Sequence, residues 1–291
     1  MDKILLLDGF NLTFRAYYAL PEMTTRGGIH TNALHGWLRT IWKLQDDEAP
    51  CHTAAFFDSG GSEMREQLLE GYKDNRGETP EPLIQQIPLI QEMTAYMGIS
   101  IHMENGVEAD DLIACAVNQL KGKYTEILIV SADKDLAQLV GPGVTQLLPP
   151  PTAKPSLGWR KLDPDGVVEK FGVTPSQIPA YLALVGDTAD NIPGIQGVGP
   201  KTAASWLQRY KDLQGIQDNC ARLNPKRFQT VIYQSRELLE TYLELTTLET
   251  HHPLGPTAPG QGTPDLGSLL GLLDKMEMRN SKQDAVKRYQ T

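Results

Sequence analysis

The sequence predicts an α/β fold, with a mostly parallel central sheet flanked by helices, that continues into a helical subdomain. Over the first 148 residues, short apolar runs alternate with segments of helical periodicity, which is the pattern of a parallel sheet. Four prolines within residues 149–155 end this alternation, and residues 165–250 show helical patterns only. We therefore expect an α/β core at 1–164, a helical subdomain at 165–254, and a linker and C-terminal tail at 255–291.

Five segments are predicted as strands, because short and continuous apolar runs suit buried parallel strands. They cover residues 4–7, 53–57, 99–103, 126–130 and 145–148. Helices are predicted after the first strand, at 31–46, 81–97 and 108–121, and as a short amphipathic segment at 265–279. The last dozen residues are polar, and we expect them to be frayed.

Composition and charge limit the class of protein. The chain has 291 residues, 40% of them hydrophobic, which suffices for a sizeable core. Its net charge of −9 argues at first sight against nucleic acid, but residues 201–236 carry seven Lys or Arg against Asp212 and Asp218. Three widely spaced cysteines form neither a disulfide framework nor a zinc spacing. With no apolar run of membrane length and no signal-like N-terminus, we expect a soluble cytoplasmic protein.

Nine acidic residues form five short clusters where predicted strands or helices end or begin. They are Asp8; Asp58; Glu108, Asp110 and Asp111; Asp133 and Asp135; and Asp187 and Asp190. Taken singly, each cluster suits a cap, a helix-terminal charge or an acidic turn equally well. Taken together, they favour a metal site, because clustered carboxylates repel one another and are costly to bury without a cation. Oxygen ligands suit Mg²⁺, and nine acids suffice for one ion or two.

The sequence lacks the motifs of several other phosphate and ester chemistries. It contains no Walker A loop, no G-x-S-x-G elbow and no H-E-x-x-H spacing. Aspartyl-phosphate chemistry at Asp8 is disfavoured, because position 10 is Phe and the Asp-x-Asp pattern is missing. These absences favour hydrolysis of a phosphate ester by metal-bound water.

Cationic and aromatic residues near the acids are candidate substrate contacts. Arg15 lies two helical turns past Asp8 and is predicted to return to the same face, where it could steady a phosphate. Three cations and one aromatic ring in the 62–80 segment are predicted along one side of a helix: Arg65, Tyr72, Lys73 and Arg76. Such a face can grip a single nucleic-acid strand without reading its sequence. A surface arginine and a solvated amphipathic helix are the alternatives.

Residues 178–210 fit a helix-hairpin-helix. Gly197 and Gly199 let the backbone approach a phosphate closely, and Pro200 suits the first turn of the second helix. The exposed amides of that turn form an anion site that Lys201 reinforces, with Thr202 next to it. An ordinary glycine turn is the alternative reading of this segment.

Six segments together carry a resemblance to a known family. They are LLLDGFNLTFRAYYAL, FFDSGG, REQLLEGYKDNR, GVEADDLIA, VSADKDLAQLV and LVGDTADNIPGIQGVGPKTA. In order and spacing they resemble the bacterial 5′→3′ exonuclease and flap endonuclease family, which includes the N-terminal nuclease domain of DNA polymerase I and the phage 5′ nucleases. The resemblance runs from Asp8 to about Leu254.

This resemblance implies a PIN-like 5′ nuclease core with two Mg²⁺ ions, for which Mn²⁺ can substitute, held by the nine acids. It implies that Arg15 and Lys73 act on the scissile phosphate, and that Tyr72 and Arg76 grip the 5′ strand. The segment at about 62–82 would form a helical arch over the active site. The hairpin would hold duplex DNA, with a K⁺ ion at its backbone carbonyls. The implied partners are DNA with 5′ ends or 5′ flaps and an RNA primer on DNA; a monomer that leaves 5′-phosphate products is expected.

Departures from the family pattern keep two other functions open. We expect a free-standing nuclease because no polymerase follows, whereas His30 and the sequence after Arg76 replace prolines that relatives carry. The alternatives are a PIN-type ribonuclease and a non-catalytic protein that binds branched DNA. The predicted hairpin and arch favour DNA over RNA, and retention of all nine acids favours catalysis.

Overall fold

The central sheet has six strands in the order β3-β2-β1-β4-β5-β6. The structure is a computed structural model that describes residues 2–151, 154–255, 258–260 and 262–290. The strands are β1 Lys3–Asp8, β2 His52–Phe56, β3 Ser100–His102, β4 Glu126–Val130, β5 Val144–Leu148 and β6 Arg160–Leu162. Strands β1 to β5 pair in parallel and β6 pairs antiparallel with β5. The predicted mostly parallel sheet is therefore confirmed.

Fourteen helices lie among the described residues and account for most of the remaining regular structure. In the core they are α1 Gly9–Ala19, α2 Asn32–Glu48, α3 Glu63–Leu68, α4 Glu81–Ile84, α5 Gln86–Tyr96 and α6 Ala109–Leu120. They continue with α7 Pro164–Phe171, α8 Ile178–Val185, α9 Pro200–Tyr210, α10 Leu213–Asp218, α11 Phe228–Gln234 and α12 Arg236–Thr246. The last two are α13 Leu266–Lys275 and α14 Arg279–Tyr289.

The sheet is buried on both faces, which explains the continuous apolar runs. Leu5 and Leu7 of β1 pack with α2, α5 and α13 on one face, whereas Ile4 and Leu6 pack with α6 on the other. Because strands of a parallel sheet that is covered on both sides expose neither face, they read as unbroken hydrophobic segments. Strand β1 lies between β2 and β4, so Asp8, its last residue, lies between the carboxyl ends of two neighbouring strands.

Sequence reasoning found the five parallel strands and missed β6. This strand is only three residues long, and Arg160 and Lys161 within it are polar and exposed. Lys161 instead forms ion pairs with Glu48 and Glu126, so its strand conformation depends on partners distant in sequence. The helical pattern predicted at 81–97 is present but divides into α4 and α5 at Gln85.

The segment from α7 to α12 is helical and has its own hydrophobic cluster. Leu182 of α8, Leu207 of α9, Ile216 of α10 and Leu239 of α12 are buried together in that cluster. No named strand falls within residues 165–250 of the described chain. The prediction of a helical subdomain after the α/β core is therefore confirmed.

The prediction of a frayed C-terminal tail is wrong. Helices α13 and α14 pack against each other, and Leu269 and Leu273 of α13 join the hydrophobic cluster on the α2 and α5 side of the sheet. Helix α14 is held by Arg288, which contacts Asp46 at 2.7 Å, and by the Tyr289 hydroxyl, which accepts a hydrogen bond from the Trp42 indole at 3.3 Å. Composition alone cannot reveal these long-range contacts.

Within the residues that the structure describes, none of the helices combines the length and apolar character needed to span a bilayer.

Docking of α13 can be tested by truncating one buried side chain. Leu273 is fully buried, so Leu273→Ala should lower the free energy of unfolding by about 2–5 kcal/mol. Urea denaturation followed by circular dichroism measures the change. Lys275→Ala, at an exposed position of the same helix, is the matched control and should change stability by less than about 0.5 kcal/mol. Equal midpoints for the two variants would contradict the packing of α13 on the core.

Candidate metal centre

Asp8 lies at the end of the central strand and caps the helix that follows it. Its carboxylate accepts hydrogen bonds from the Asn11 backbone N–H at 3.1 Å and from the Ser131 hydroxyl at 2.6 Å. Burial, with the neighbouring charges of Asp133 and Asp58, raises the pKa of Asp8 from 3.8 to about 7. The site therefore favours a proton or a cation on Asp8 over a free carboxylate.

A cavity of about 500 Å³ opens where the strands end. Four carboxylates line it, contributed by the carboxyl ends of β1, β2 and β4 and by the first turn of α6: Asp8, Asp58, Asp133 and Asp110. Burial and the charges of the other three acids raise the pKa of Asp110 well above its usual value. The parallel register thus brings acids from four distant parts of the sequence to one cavity.

Three further carboxylates form a second, adjoining group. Oxygens of Asp135, Asp187 and Asp190 lie within 4.8 Å of one another, and all three residues are buried. Burial, followed by the charge of Asp133, raises the pKa of Asp135 well above its usual value. Lys134 offsets part of this charge, because its ammonium lies 2.7 Å from Asp187 Oδ1.

The donor atoms of these two groups fit a hard divalent cation. Asp135 Oδ1 is buried without a hydrogen-bond partner, and such an orphaned oxygen is costly unless a proton or a cation binds it. All seven side chains offer carboxylate oxygens, which are the preferred ligands of Mg²⁺ and similar ions. The cavity and its neighbouring cluster could therefore hold a divalent metal.

The two remaining acids are paired with cations of the protein. Glu108 accepts hydrogen bonds from Lys73 Nζ at 2.6 Å and from Arg65 Nη1 at 2.7 Å. Asp111 accepts hydrogen bonds from both terminal nitrogens of Arg65, at 2.6 and 2.8 Å, and from the Glu249 backbone N–H at 2.8 Å. Asp111 is thus satisfied without a metal ion, in contrast to the expectation that all nine acids act as ligands.

The segment predicted as one helical face is mostly a series of turns. Helix α3 ends at Leu68, and positive φ angles at Gly71 (81°) and Lys73 (60°) exclude a continuous helix through Tyr72 and Arg76. The prediction that these side chains share a face with Arg65 is therefore wrong. The sequence signal for the turn is Gly71, which adopts the left-handed conformation without a steric penalty.

The Arg65 side chain is buried and paired with acids of the interior. Its side chain is 2% exposed, and its guanidinium binds Glu108 and Asp111 as described above. A guanidinium with these partners cannot also pair with a phosphate in this conformation. This buried and paired position does not support the expectation that Arg65 contacts a nucleic acid.

Lys73 and Arg76 lie in the wall of the cavity. Burial alone would lower the pKa of Lys73, but the charges of Glu108 and Asp190 outweigh it and raise the pKa overall. Arg76 Nη2 contacts Asp190 Oδ1 at 2.7 Å, and its side chain remains half exposed. These two cations are therefore able to offset negative charge beside the carboxylates.

The turn after α3 is tied to the loop that carries Asp190. The buried Tyr72 hydroxyl donates a hydrogen bond to Asp190 Oδ2 at 3.1 Å, and the Lys73 backbone N–H donates to the Asp190 carbonyl at 3.2 Å. Asn191 Nδ2 donates to the Gly71 carbonyl at 2.7 Å. Tyr72 therefore has its ring buried, and base stacking on that ring would require the turn to move.

Arg15 does not line the acidic cavity. Its guanidinium donates a hydrogen bond to the Pro150 carbonyl, and it borders a separate cavity with Phe14, Tyr18 and Pro155. The predicted return of Arg15 to the face of Asp8 is thus not observed. Phe10 and Phe14 of the same helix line the acidic cavity instead.

The connection from α8 to α9 forms a compact hairpin. The Asp187 and Ile192 backbones exchange two hydrogen bonds of 2.7 Å. Gly194 has φ +64°, and a Cβ atom there would lie 2.3 Å from the Gly186 nitrogen, so the turn cannot accept a side chain. The acids Asp187 and Asp190 therefore occupy the hairpin itself.

The predicted phosphate-contacting residues lie at the end of this hairpin. Gly197 has φ +80° and Gly199 precedes the first turn of α9. Lys201 in that first turn is exposed, and the Thr202 backbone N–H is already bonded to the Gly199 carbonyl at 3.0 Å. Pro200 has no N–H group, so Gly199 and Lys201 supply the backbone amides at the start of α9.

Several residues that order the site were not singled out from the sequence. Ser131 donates to Asp8, Asn11 accepts from the Ala132 backbone N–H, and Lys134 pairs with Asp187. Their only sequence signal is proximity to the acids, in the segments DGFN and VSADKD. They bind or orient the carboxylates, so they act on the site through residues that the sequence did reveal.

Two family models match the chain in succession. Residues 3–172 match the model described as 5′-3′ exonuclease, N-terminal resolvase-like domain. Residues 173–259 match the model described as 5′-3′ exonuclease, C-terminal SAM fold. Together they cover most of the α/β core and the helical subdomain.

Solved structures share the fold at low sequence identity. A bacteriophage T5 flap endonuclease, in a pseudo-enzyme–product complex with DNA and metal ions, has a TM-score of 0.71 at 21% identity, with 98% of both chains covered. The catalytic core of Rad2, in complex with a DNA substrate, has a TM-score of 0.65 at 16% identity, covering 98% of this chain and 91% of the other.

Curated relatives extend the comparison to sequence. The chain is 40% identical over 259 residues to a DNA polymerase I of Mycobacterium leprae, covering 86% of this chain and 28% of the relative. It thus spans about a quarter of the length of that polymerase. It is 35% identical over 283 residues to a 5′-3′ exonuclease of Aquifex aeolicus, covering 96% of this chain and 94% of the relative. The two family models and the Aquifex aeolicus relative show that the chain belongs to the 5′-3′ exonuclease family of nucleases.

Proposed function

We propose that the chain is a divalent-metal-dependent 5′→3′ exonuclease and structure-specific 5′ flap endonuclease that hydrolyses DNA phosphodiesters and leaves 5′-phosphate products. The observation that carries the proposal is the cavity in which Asp8, Asp58, Asp110 and Asp133 meet beside Lys73. The T5 relative, whose complex contains DNA and metal ions, supports DNA as the substrate. We further propose that the chain acts as a monomer in the cytoplasm. Its substrates would be 5′ ends, 5′ flaps and RNA primers paired with DNA.

Two Mg²⁺ ions, or Mn²⁺ in their place, are proposed as the cofactors. The four carboxylates of the cavity would hold one, and the group of Asp135, Asp187 and Asp190 would contribute to the other. Such a pair would supply activation of a water molecule and stabilisation of the leaving oxygen. The orphaned oxygen of Asp135 and the raised pKa of Asp110 support this assignment, since both are relieved by a cation.

The residues of the chain would bind and orient the substrate around these ions. Lys73 and Arg76 are proposed to turn from Glu108 and Asp190 towards the scissile phosphate, where they offset the charge that develops on its oxygens. Phe10 and Phe14 line the cavity and would exclude water from one side of it. In this proposal Arg15 would reach a phosphate only after it releases the Pro150 carbonyl.

The remaining segments are assigned to DNA binding. We assign catalysis to residues 1–164, with the arch at about 62–82, and duplex binding to 165–254. Gly197, Gly199 and Lys201 would bind a phosphate through backbone amides and the Lys201 ammonium, with Thr202 beside them in the first turn of α9 and K⁺ at backbone carbonyls of the hairpin. Contacts of this kind position a duplex without reading its sequence.

Removal of two cavity carboxylates tests the metal assignment. Asp110→Asn with Asp133→Asn keeps the side-chain volumes but removes two charged ligands, so cleavage in Mg²⁺ should fall at least about a hundredfold. The measurement is the cleavage rate of a 5′-labelled flap DNA, with single-stranded RNA and blunt duplex DNA assayed in parallel and EDTA added as the metal-free arm. Asp165→Asn, an exposed acid in α7, is the control and should cleave at the wild-type rate. A double variant that retains the wild-type rate would overturn the proposal.

The raised carboxyl pKa values predict a pH-dependent response to metal. Because the folded pKa of Asp8 is about 7 against 3.8 for the free side chain, its stabilising contribution is complete below about pH 4 and is lost as the pH rises towards 7. Mg²⁺ replaces the lost protons, so it should raise Tm more at about pH 8 than at about pH 5. Differential scanning calorimetry in Mg²⁺ and in EDTA measures this difference. Asp8→Asn should reduce the pH dependence; an unchanged dependence would refute the role of Asp8.

Substitution of Arg65 should affect stability, whereas substitution of Arg76 should affect catalysis. Arg65→Met leaves Asp111 buried without its cation and removes one of the two cations of Glu108, so it should lower the free energy of unfolding by about 3–5 kcal/mol. Arg76→Met changes a half-exposed side chain, so it should leave stability nearly unchanged and lower kcat/KM on flap DNA by about 10²-fold. Urea denaturation and steady-state kinetics separate the two effects. Loss of stability in Arg76→Met with normal kinetics would contradict the assigned roles.

A further inference from the structure

A second group of metal-ligating side chains lies outside the acidic cavity, on the segment that follows α12. Donor atoms of Glu249, His251 and His252 all lie within 4.8 Å of one another. Glu249 Oε2 is the common centre: it is hydrogen-bonded to His252 Nε2 and lies 3.6 Å from His251 Nε2. The two imidazole rings are stacked, with centroids 4.7 Å apart and an interplanar angle of 29°.

The backbone that carries these side chains is anchored to the α/β core. The Glu249 backbone N–H donates to Asp111 Oδ1 at 2.8 Å, and the Leu248 N–H donates to Gln138 Oε1 at 3.0 Å. The Cys115 thiol contacts the Glu249 carbonyl at 3.7 Å. Because the main chain is held at three points, much of the entropy cost of assembling the ligands is already met by the fold.

Glu249 Oε2 and His251 Nε2 are spaced as ligands of one small ion, whereas His252 Nε2 would have to separate from Glu249 Oε2 to bind it. Bond lengths of about 2.0–2.2 Å place two ligand atoms of a tetrahedral Zn²⁺ roughly 3.4 Å apart. The distance between Glu249 Oε2 and His251 Nε2, 3.6 Å, is close to that separation. His251 is 76% exposed, so its ring can rotate the remaining distance without displacing a packed neighbour.

The donor chemistry differs from that of the acidic cavity. Two imidazole nitrogens and one carboxylate oxygen suit Zn²⁺, Ni²⁺ or Cu²⁺, whereas Mg²⁺ prefers oxygen donors alone. In the structure His252 Nε2 and Glu249 Oε2 are hydrogen-bonded to each other. A zinc-class ion would replace that hydrogen bond and leave one coordination position open to water.

We propose that Glu249, His251 and His252 form a binding site for a zinc-class divalent cation, separate from the catalytic carboxylates. The ion would brace the segment between α12 and the core, because Glu249 and its hydrogen bond to Asp111 connect that segment to α6. The site shares no ligand with the cavity of Asp8, Asp58, Asp110 and Asp133, and it does not depend on the proposed nuclease function.

Zinc titration in saturating Mg²⁺ tests the site without reference to cleavage. The full chain is titrated with Zn²⁺ by isothermal calorimetry, and the visible spectrum of its Co²⁺ complex is recorded. One equivalent of Zn²⁺ should bind, and it should raise Tm by about 5 °C at a hundredfold excess over Kd. His251→Ala should weaken binding at least about tenfold, His251→Cys should restore it, and Thr250→Ala on the same segment should have no effect.

The competing explanation is that Zn²⁺ binds in the carboxylate cavity. The double variant Asp110→Asn with Asp133→Asn distinguishes the two sites, because it removes ligands from the cavity only. The proposal requires this pair to retain Zn²⁺ affinity in Mg²⁺ and to keep the Co²⁺ spectrum that His251→Ala loses. Loss of zinc binding in the Asp→Asn pair, full affinity in His251→Ala, or no zinc binding by the wild-type chain would each overturn the site. Thermal melting of each variant without metal verifies that all are folded.

Discussion

Repulsion among carboxylates at one edge of the sheet is the constraint on which the rest of the structure depends. The parallel register brings Asp8, Asp58 and Asp133 together, because each follows the end of a neighbouring strand. Burial then raises the pKa of these groups, so the charged site is unstable without compensation. The turn after α3 relieves this repulsion by supplying the cations Lys73 and Arg76, whereas the hairpin after α8 adds two more carboxylates, Asp187 and Asp190.

The parts of the fold that local patterns determine were predictable from sequence. Short apolar runs predicted the five parallel strands, and the acids at the ends of β1, β2 and β4 followed directly. Three-residue β6, polar α14 and the buried position of Arg65 were not predictable, because each depends on partners far away in the chain. An arginine in an amphipathic segment has the same sequence signal whether it faces solvent or pairs with Asp111, and only the tertiary contact decides.

The same distinction applies to the candidate site. Residue type identified the carboxylates, and four of the nine line one cavity while three more form the adjoining group. Residue type could not show that Asp111 is neutralised by Arg65, or that Asp111 also accepts the Glu249 N–H. Asp111 therefore connects α3, α6 and the chain leaving α12, which makes it a structural junction.

The ties between the turn after α3 and the hairpin have a mechanical consequence. Tyr72, Lys73 and Arg76 all bind Asp190, and Asn191 binds the Gly71 carbonyl. No one of these bonds can be stretched far while the others remain intact. These contacts should therefore break together when the mouth of the cavity widens. Such widening should also release the loop that carries Asp187.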